Sequence, residues 1–265
     1  MRASLPSSFS SDIPSSQAAV DIFKGLWKSA FPPQSGLVAG TVPNFEDARV
    51  PWADRVLGGL RGRSILELGP FEGYNTFQFS QLGATPITAV EGNSTNYLKC
   101  LVAKETLGVN ASFLHGDIRL YLEHTERRFD ICWASGVLYH QIDPLALLSA
   151  IARVCPRVFI WTHFFDERIS SNPERYPNFV PQQDVEKELD GYRCMHYCRS
   201  YLFRKGQRPA SFSGGHDTFA YWLRKDDILA YIDKLGFSEV TIRGVSMDHP
   251  AGPTLSLLAS KPDGV

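Results

Sequence analysis

No apolar run in these 265 residues approaches the length of about twenty needed to cross a bilayer, so no membrane span is expected. No sign of charge is in excess either. Lysine and arginine number 27 against 28 aspartates and glutamates. That balance argues against a broad polyanion-binding surface and makes nucleic acid an unexpected partner. Cysteines are few, odd in number and scattered. Five in a chain of this length exclude a disulfide framework and fit reduced thiols in a cytoplasmic protein. No internal repeat is visible. The first sixteen residues are rich in serine and proline but hold no apolar segment, which sets aside a secretory signal and leaves a disordered tail as the expectation.

What is present is a rhythm. The length suits one domain with an insertion. Residues 17–31 place Val20, Phe23, Trp27 and Phe31 at helical spacing, with Pro32 and Pro33 behind them as a stop. A second helix is expected within 46–60, beginning only near Trp52 because of Pro51. These N-terminal helices form a cap over residues 17–60. From residue 61 onward strand-like runs at 64–68, 86–91, 111–115, 129–134 and 157–163 alternate with helical segments at 74–82, 94–107, 118–124 and 144–154. Such alternation predicts right-handed crossovers and an α/β fold, a doubly wound and mostly parallel sheet. Residues 164–221 break the period and read as a long irregular insertion after strand five, on the substrate side. A helix returns at 225–235, with Gly236 as its stop. Two strand-like runs at 239–245 and 254–260 flank a turn and predict an antiparallel C-terminal hairpin, bringing the sheet to seven strands.

The most specific stretch is residues 65–76, Ile-Leu-Glu-Leu-Gly-Pro-Phe-Glu-Gly-Tyr-Asn-Thr. A strand runs into a glycine turn and then a helix start, which is the construction of a nucleotide site at the carboxyl edge of a parallel sheet. A dinucleotide fingerprint requires G-x-G-x-x-G, and Phe71 stands where its middle glycine would be, which counts against a dehydrogenase. The pattern present, an acid at Glu67 and glycines at Gly69 and Gly73, resembles the first motif of class I S-adenosylmethionine (SAM) methyltransferases. The resemblance extends in order over about residues 60–165, through Ala-Val-Glu-Gly-Asn at 89–93, Leu-His-Gly-Asp-Ile at 114–118 and the segment that follows strand four.

The resemblance implies a SAM-dependent methyltransferase that releases S-adenosylhomocysteine (SAH). Gly69, Pro70, Gly73 and Asn75 would admit the methionyl part, with Glu67 reaching its ammonium. Glu91, with Gly92 and Asn93, would take the ribose hydroxyls. Asp117 would accept from the adenine amine, Ile118 would cover the ring, and Ser135 would close the site at the end of strand four. The segment 135–144, Ser-Gly-Val-Leu-Tyr-His-Gln-Ile-Asp-Pro, is expected beside the transferred methyl. His140 is the candidate general base, His216 and Tyr139 are further catalytic candidates, and Asp143 or Asp217 could orient a histidine. His163 is expected to be packed at its strand end.

No metal is expected. Magnesium-dependent members carry aspartates where this chain has Ala134 and Ser135, and Cys-Met-His-Tyr-Cys at 194–198 lacks a second ligand pair at zinc spacing. Ser-Gly-Val-Leu also replaces the Asn/Asp-Pro-Pro-aromatic motif of DNA and protein-amide methyltransferases. A small-molecule acceptor with an oxygen nucleophile is therefore expected, in keeping with natural-product metabolism, and a homodimer is compatible with it. Tyr192, Tyr197, Tyr201, Phe203, Arg204, Lys205 and Arg208 would supply aromatic and cationic groups from the insertion. Two alternatives stay open: a tRNA-modifying transferase, because Gly136–Leu148 is similar to the wobble-uridine carboxymethyltransferase group, and a non-catalytic SAM-binding subunit.

Overall fold

The structure is a computed structural model that describes residues 9–201, 214–215 and 217–262. His216, Phe203, Arg204, Lys205 and Arg208 lie outside the described residues. The chain divides at Asp117 and Ile118 into two compact units.

The first unit opens with α1 (Ser16–Asp21), whose start is capped by the Ser15 hydroxyl accepting from the Ala18 N–H. This helix is shorter than the apolar spacing predicts. Turns follow it, with Gly25 in the left-handed region at φ 76°, and they end the helical hydrogen bonding. The spacing still identifies the buried set: Val20, Phe23, Trp27 and Phe31 pack with Phe45 and Ala103 in one cluster. Helix α2 (Arg49–Val56) starts ahead of Pro51 rather than after it. Proline is tolerated there because the first N–H groups of a helix have no intrahelical acceptor to lose. Then come β1 (Ile65–Leu68), α3 (Tyr74–Gln81), β2 (Ile87–Glu91), α4 (Ser94–Leu107) and β3 (Ser112–His115). The β1 and β2 side chains are buried throughout, as expected of parallel strands covered on both faces.

The second unit comprises α5 (Ile118–His124), β4 (Ile131–Ser135), α6 (Pro144–Val154), β5 (Arg157–His163), α7 (Glu167–Ser170), β6 (Val185–Leu189), β7 (Tyr192–Ser200), β8 (Phe219–Trp222), α8 (Lys225–Lys234), β9 (Glu239–Ser246) and β10 (Thr254–Ser260). Asp143 caps α6, its carboxylate accepting from the Ala146 N–H, so its side chain orients a helix rather than a histidine.

The seven-stranded sheet has the order β3-β2-β1-β4-β5-β10-β9. Pairs β1–β2, β2–β3 and β4–β5 are parallel, whereas β10 runs antiparallel to both β5 and β9. The expected hairpin is therefore present, with its second strand inserted against β5 and its first at the edge. The expectation of an irregular 164–221 is overturned. A second sheet, β6-β7-β8, occupies much of it. Its strands escape a period-2 pattern because β7 buries residues on both faces, Cys194, His196 and Cys198 on one and Tyr197 on the other.

Candidate functional site

In the first unit, the turn after β1 is built from residues in the left-handed region: Gly69 at φ 67°, Phe71 at 59° and Gly73 at 78°. A phenylalanine rarely takes that conformation. Here it is held, because the Phe71 N–H donates to Glu91 Oε2 at 3.0 Å while the Asn93 N–H donates to Oε1 at 2.8 Å. Glu91 at the end of β2 thus staples the turn to the start of α4. Its carboxylate has lone pairs left over for further donors. Burial pushes its carboxyl up to about 7, against the lowering effect of the Asn93 and Phe71 N–H groups.

Glu67 lies deeper, only 2 % exposed, and accepts from the Thr76 hydroxyl on α3. Burial, reinforced by Glu91 and Asp47, raises it to about 8. At neutral pH it carries a proton unless a cation arrives to stabilise its charge. The Asn75 amide donates to Asp47, which also pairs with Arg49 at 2.5 Å. Burial pushes the Asp47 carboxyl up, but Arg49 and Asn75 outweigh it and hold it below the usual range.

Sequence reasoning missed the residues that fasten this turn from behind. Glu72 is fully buried and pairs with buried Lys99 at 2.7 Å. Glu72 also accepts from the backbone N–H groups of Lys28 and Ser29, and Lys99 donates to the Leu26 carbonyl. The N-terminal segment is thereby tied to the glycine turn. A Glu and a Lys 27 positions apart carry no local signal of such a pair.

Gly92 and Asn93 follow β2; Gly92 is exposed, and the Asn93 side chain caps α4 by accepting from the Asn96 N–H. Pro70 is buried and Asp117 half-buried past the end of β3. Nine of the eleven expected cofactor residues therefore gather at the carboxyl ends of β1 to β3 in this unit; Ile118 and Ser135 belong to the second unit.

In the second unit, β4 ends at half-buried Ser135, and Gly136 turns the chain at φ 79° into a short 3-10 turn, Leu138–His140. That turn presents Tyr139 and His140 side by side, rings 4.1 Å apart. His140 Nδ1 lies 2.6 Å from the Tyr201 hydroxyl. Gly215 packs directly against His140, since a Cβ there would lie 2.4 Å from the His140 carbonyl oxygen. Burial, then Arg199 and His163, press the His140 imidazole down to about 3, so it is neutral through the physiological range.

His163 ends β5 and is packed, as expected, at 4 % exposure. Its ring stacks on Trp222 at 4.9 Å and 8°, and its Nδ1 donates to the carbonyls of Gly252 and Pro253. Burial lowers it to about 4, with His249 and Arg199 adding to that and the carbonyls opposing it. Tyr139 packs edge-on to Trp161, His163 and Trp222. The half-buried members of this cluster are Tyr139, His140, Trp161, Arg199, Tyr201 and His249, over a buried floor of His163 and Trp222. Arg199, Trp161 and Trp222 went unremarked in the sequence, and His249 was read only as part of the turn between the last two strands. The chain offers no local motif for them, because they meet only when β5, β7, β8 and the loop before β10 come together. Among the described residues, no group of three or more histidines, cysteines or carboxylates is arranged to hold a metal ion.

Residues 66–157 match the profile of a family described as a methyltransferase domain. Comparison with curated protein sequences gave no match. Among solved structures the chain is similar to the N-terminal domain of EvdMO1 determined in the presence of SAH and D-fucose, with a TM-score of 0.67 at 22 % identity over 92 % of this chain and 94 % of that one. It is also similar to magnesium protoporphyrin IX methyltransferase (ChlM) from Synechocystis PCC 6803 with bound SAH, at TM-score 0.53 and 16 % identity over 81 % of each chain. A third is Burkholderia thailandensis 1,6-didemethyltoxoflavin-N1-methyltransferase, with its substrate and SAH bound, at TM-score 0.51 and 15 % identity over 83 % of this chain and 79 % of that one. At these identities the likeness is one of fold.

Proposed function

Residues 66–157 are a methyltransferase domain of the class I, SAM-dependent kind, and from that premise we propose that the protein methylates an oxygen of a small-molecule acceptor with His140 as general base. SAM supplies a methyl carbon activated by a sulfonium, and SAH is the product. The cofactor side fits such a ligand on two counts. The turn from Gly69 to Gly73 keeps its backbone open by three positive φ values, and Glu67 and Glu91 are buried acids with no cation of their own beside them in the interactions described above. In this assignment Glu67 faces the ammonium, Glu91 accepts from the ribose hydroxyls, and Asp117 and Ile118 receive the adenine.

The observation that carries the acceptor side is the His140–Tyr201 pair. In the tautomer that donates from Nδ1 to the Tyr201 oxygen, Nε2 keeps its lone pair, and the ring is held in place to receive the hydroxyl proton. The Tyr139 ring lies beside it, tilted by 41° with centroids 4.1 Å apart. A small acceptor is supported by the relatives crystallised with D-fucose and with 1,6-didemethyltoxoflavin.

The test has two readouts. The wild-type protein binds SAH by calorimetry, and Glu91→Ala weakens that binding about tenfold or more through loss of a charged acceptor. Unchanged affinity removes Glu91 from the cofactor site. His140→Ala leaves SAH affinity intact and slows SAH release from SAM, over a panel of hydroxylated small molecules, by about 100-fold or more. A rate within about twofold of wild type removes His140 as the base.

A further inference from the structure

Among the described residues, Arg199 has no counter-ion. It sits near the end of β7, where the register sets it opposite Ala220, two pairs along from Tyr197 and Trp222 and so on the same face. The small alanine leaves the arginine side chain room on that face. The guanidinium carbon lies 5.6 Å from the centre of the Tyr201 ring and 5.5 Å from that of Trp222. Both contacts are to π faces, which attract the cation but occupy none of its five N–H donors. Among the described residues no carboxylate lies within ion-pair distance of it, and no side-chain hydrogen bond engages it.

The other arginines of this sheet and its flanks are handled differently. Arg193 pairs with Glu188 at 2.6 Å, and Arg224 with Glu167 at 2.5 Å. Both of those are more exposed than Arg199 and could more easily have been left to water. A half-buried guanidinium pays a desolvation cost that an anion would offset, and its planar fork matches a carboxylate through two parallel hydrogen bonds. Its neighbours are Tyr201, Trp222 and, by charge, Tyr139 and His140. Tyr139, His140 and Tyr201 are the groups proposed above for the acceptor side, and Trp222 is part of the floor beneath them.

We infer that Arg199 is the acceptor-recognition residue of this site and that it selects a small molecule bearing a carboxylate. This deepens the acceptor side of the function proposed above and rests on it. The aromatic surroundings suit a planar ring as the body of that molecule.

The test measures a preference and not an affinity alone. Binding of 4-hydroxybenzoate and of its neutral counterpart 4-hydroxybenzamide is titrated by calorimetry against the full-length protein, with and without saturating SAH. Wild type is expected to favour the acid by about tenfold or more, as a charge-assisted fork requires. In Arg199→Gln that preference disappears while SAH affinity and the thermal transition stay as in wild type. Should Arg199→Gln fail to fold, Arg199→Lys keeps the charge without the fork and is expected to retain only part of the preference. Equal binding of acid and amide by wild type, no binding of either, or a preference that survives in Arg199→Gln overturns the inference. If SAH itself fails to bind wild type, it is the methyltransferase assignment that falls, since the acid–amide comparison is read separately without cofactor.

Discussion

Glu72 and Arg199 are both charged side chains drawn out of bulk water, and the protein treats them in opposite ways. Glu72, in the first unit, is fully buried and meets Lys99 and two backbone N–H groups. Arg199, in the second, meets two aromatic faces and no carboxylate among the described residues. The contrast runs through each unit. In the first unit the glycine turn is tied by the Glu91 carboxylate in front and the Glu72–Lys99 pair behind, which holds it in one shape. Around the Leu138–His140 turn the second unit gathers neutral histidines, aromatic rings and Arg199, which meets no carboxylate among the described residues. Under the proposed function, the firmly tied turn would serve the cofactor and the open hydrogen-bonding capacity would serve the acceptor.

The largest blow to this contrast should come from Lys99→Met. It leaves Glu72 buried without its cation and releases the Leu26 carbonyl, at a cost of about 3–5 kcal/mol. Urea unfolding checks this, and a loss below about 1 kcal/mol would mean that the pair does not hold the N-terminal segment to the turn.

The next effect is a pH dependence. Glu67 is raised in the folded protein to about 8 from an ordinary value of 4.5, so its contribution to stability is fully present below about 4.5 and is lost as pH rises through about 8. The protein without cofactor should therefore weaken by about 1.4 kcal/mol per pH unit from this group between pH 6 and 8, with Glu91 adding a further fall up to about 7. Glu67→Gln should flatten that slope, leaving only the Glu91 part. An identical slope in the two proteins, measured by denaturation at each pH, would show that Glu67 does not titrate there.

Smallest is Gly252→Ala in the second unit. A Cβ at that position would lie 2.9 Å from the Trp222 ring, on a backbone at φ 124° that alanine rarely adopts. Shifting Trp222 disturbs the His163 stack and costs about 1–3 kcal/mol. The acid preference attributed to Arg199 should weaken with it, while SAH affinity holds; the reverse pattern would join two functions kept apart here.

Much of the cofactor side could be read from the chain. Glu67, Gly69, Gly73 and Glu91 are found at strand ends as their spacing required, because a strand followed by a glycine turn and a helix is a local construction. The apolar set Val20, Phe23, Trp27 and Phe31 was equally legible, although α1 covers only its beginning, since burial tolerates turns that helical hydrogen bonding does not. The acceptor side was less so. Tyr139 and His140 were marked by following β4, and Asp143 proved to be a helix cap. The second sheet was hidden because β7 is buried on both faces and so shows no alternation.

The sequence by itself therefore determined the order of strands and helices outside residues 164–221, the glycine turn and the acids at the strand ends. All of these depend on neighbours within a few residues or on a repeating period. Only the tertiary structure decided which charges are paired. Glu72 finds Lys99 across 27 positions, the His140 ring reaches Tyr201 across 61, and Arg199 lies over Trp222 on an adjacent strand without reaching a carboxylate among the described residues. Whether a charge is satisfied depends on everything within a few ångströms of it. That is a property of the folded surroundings, not of the residue type.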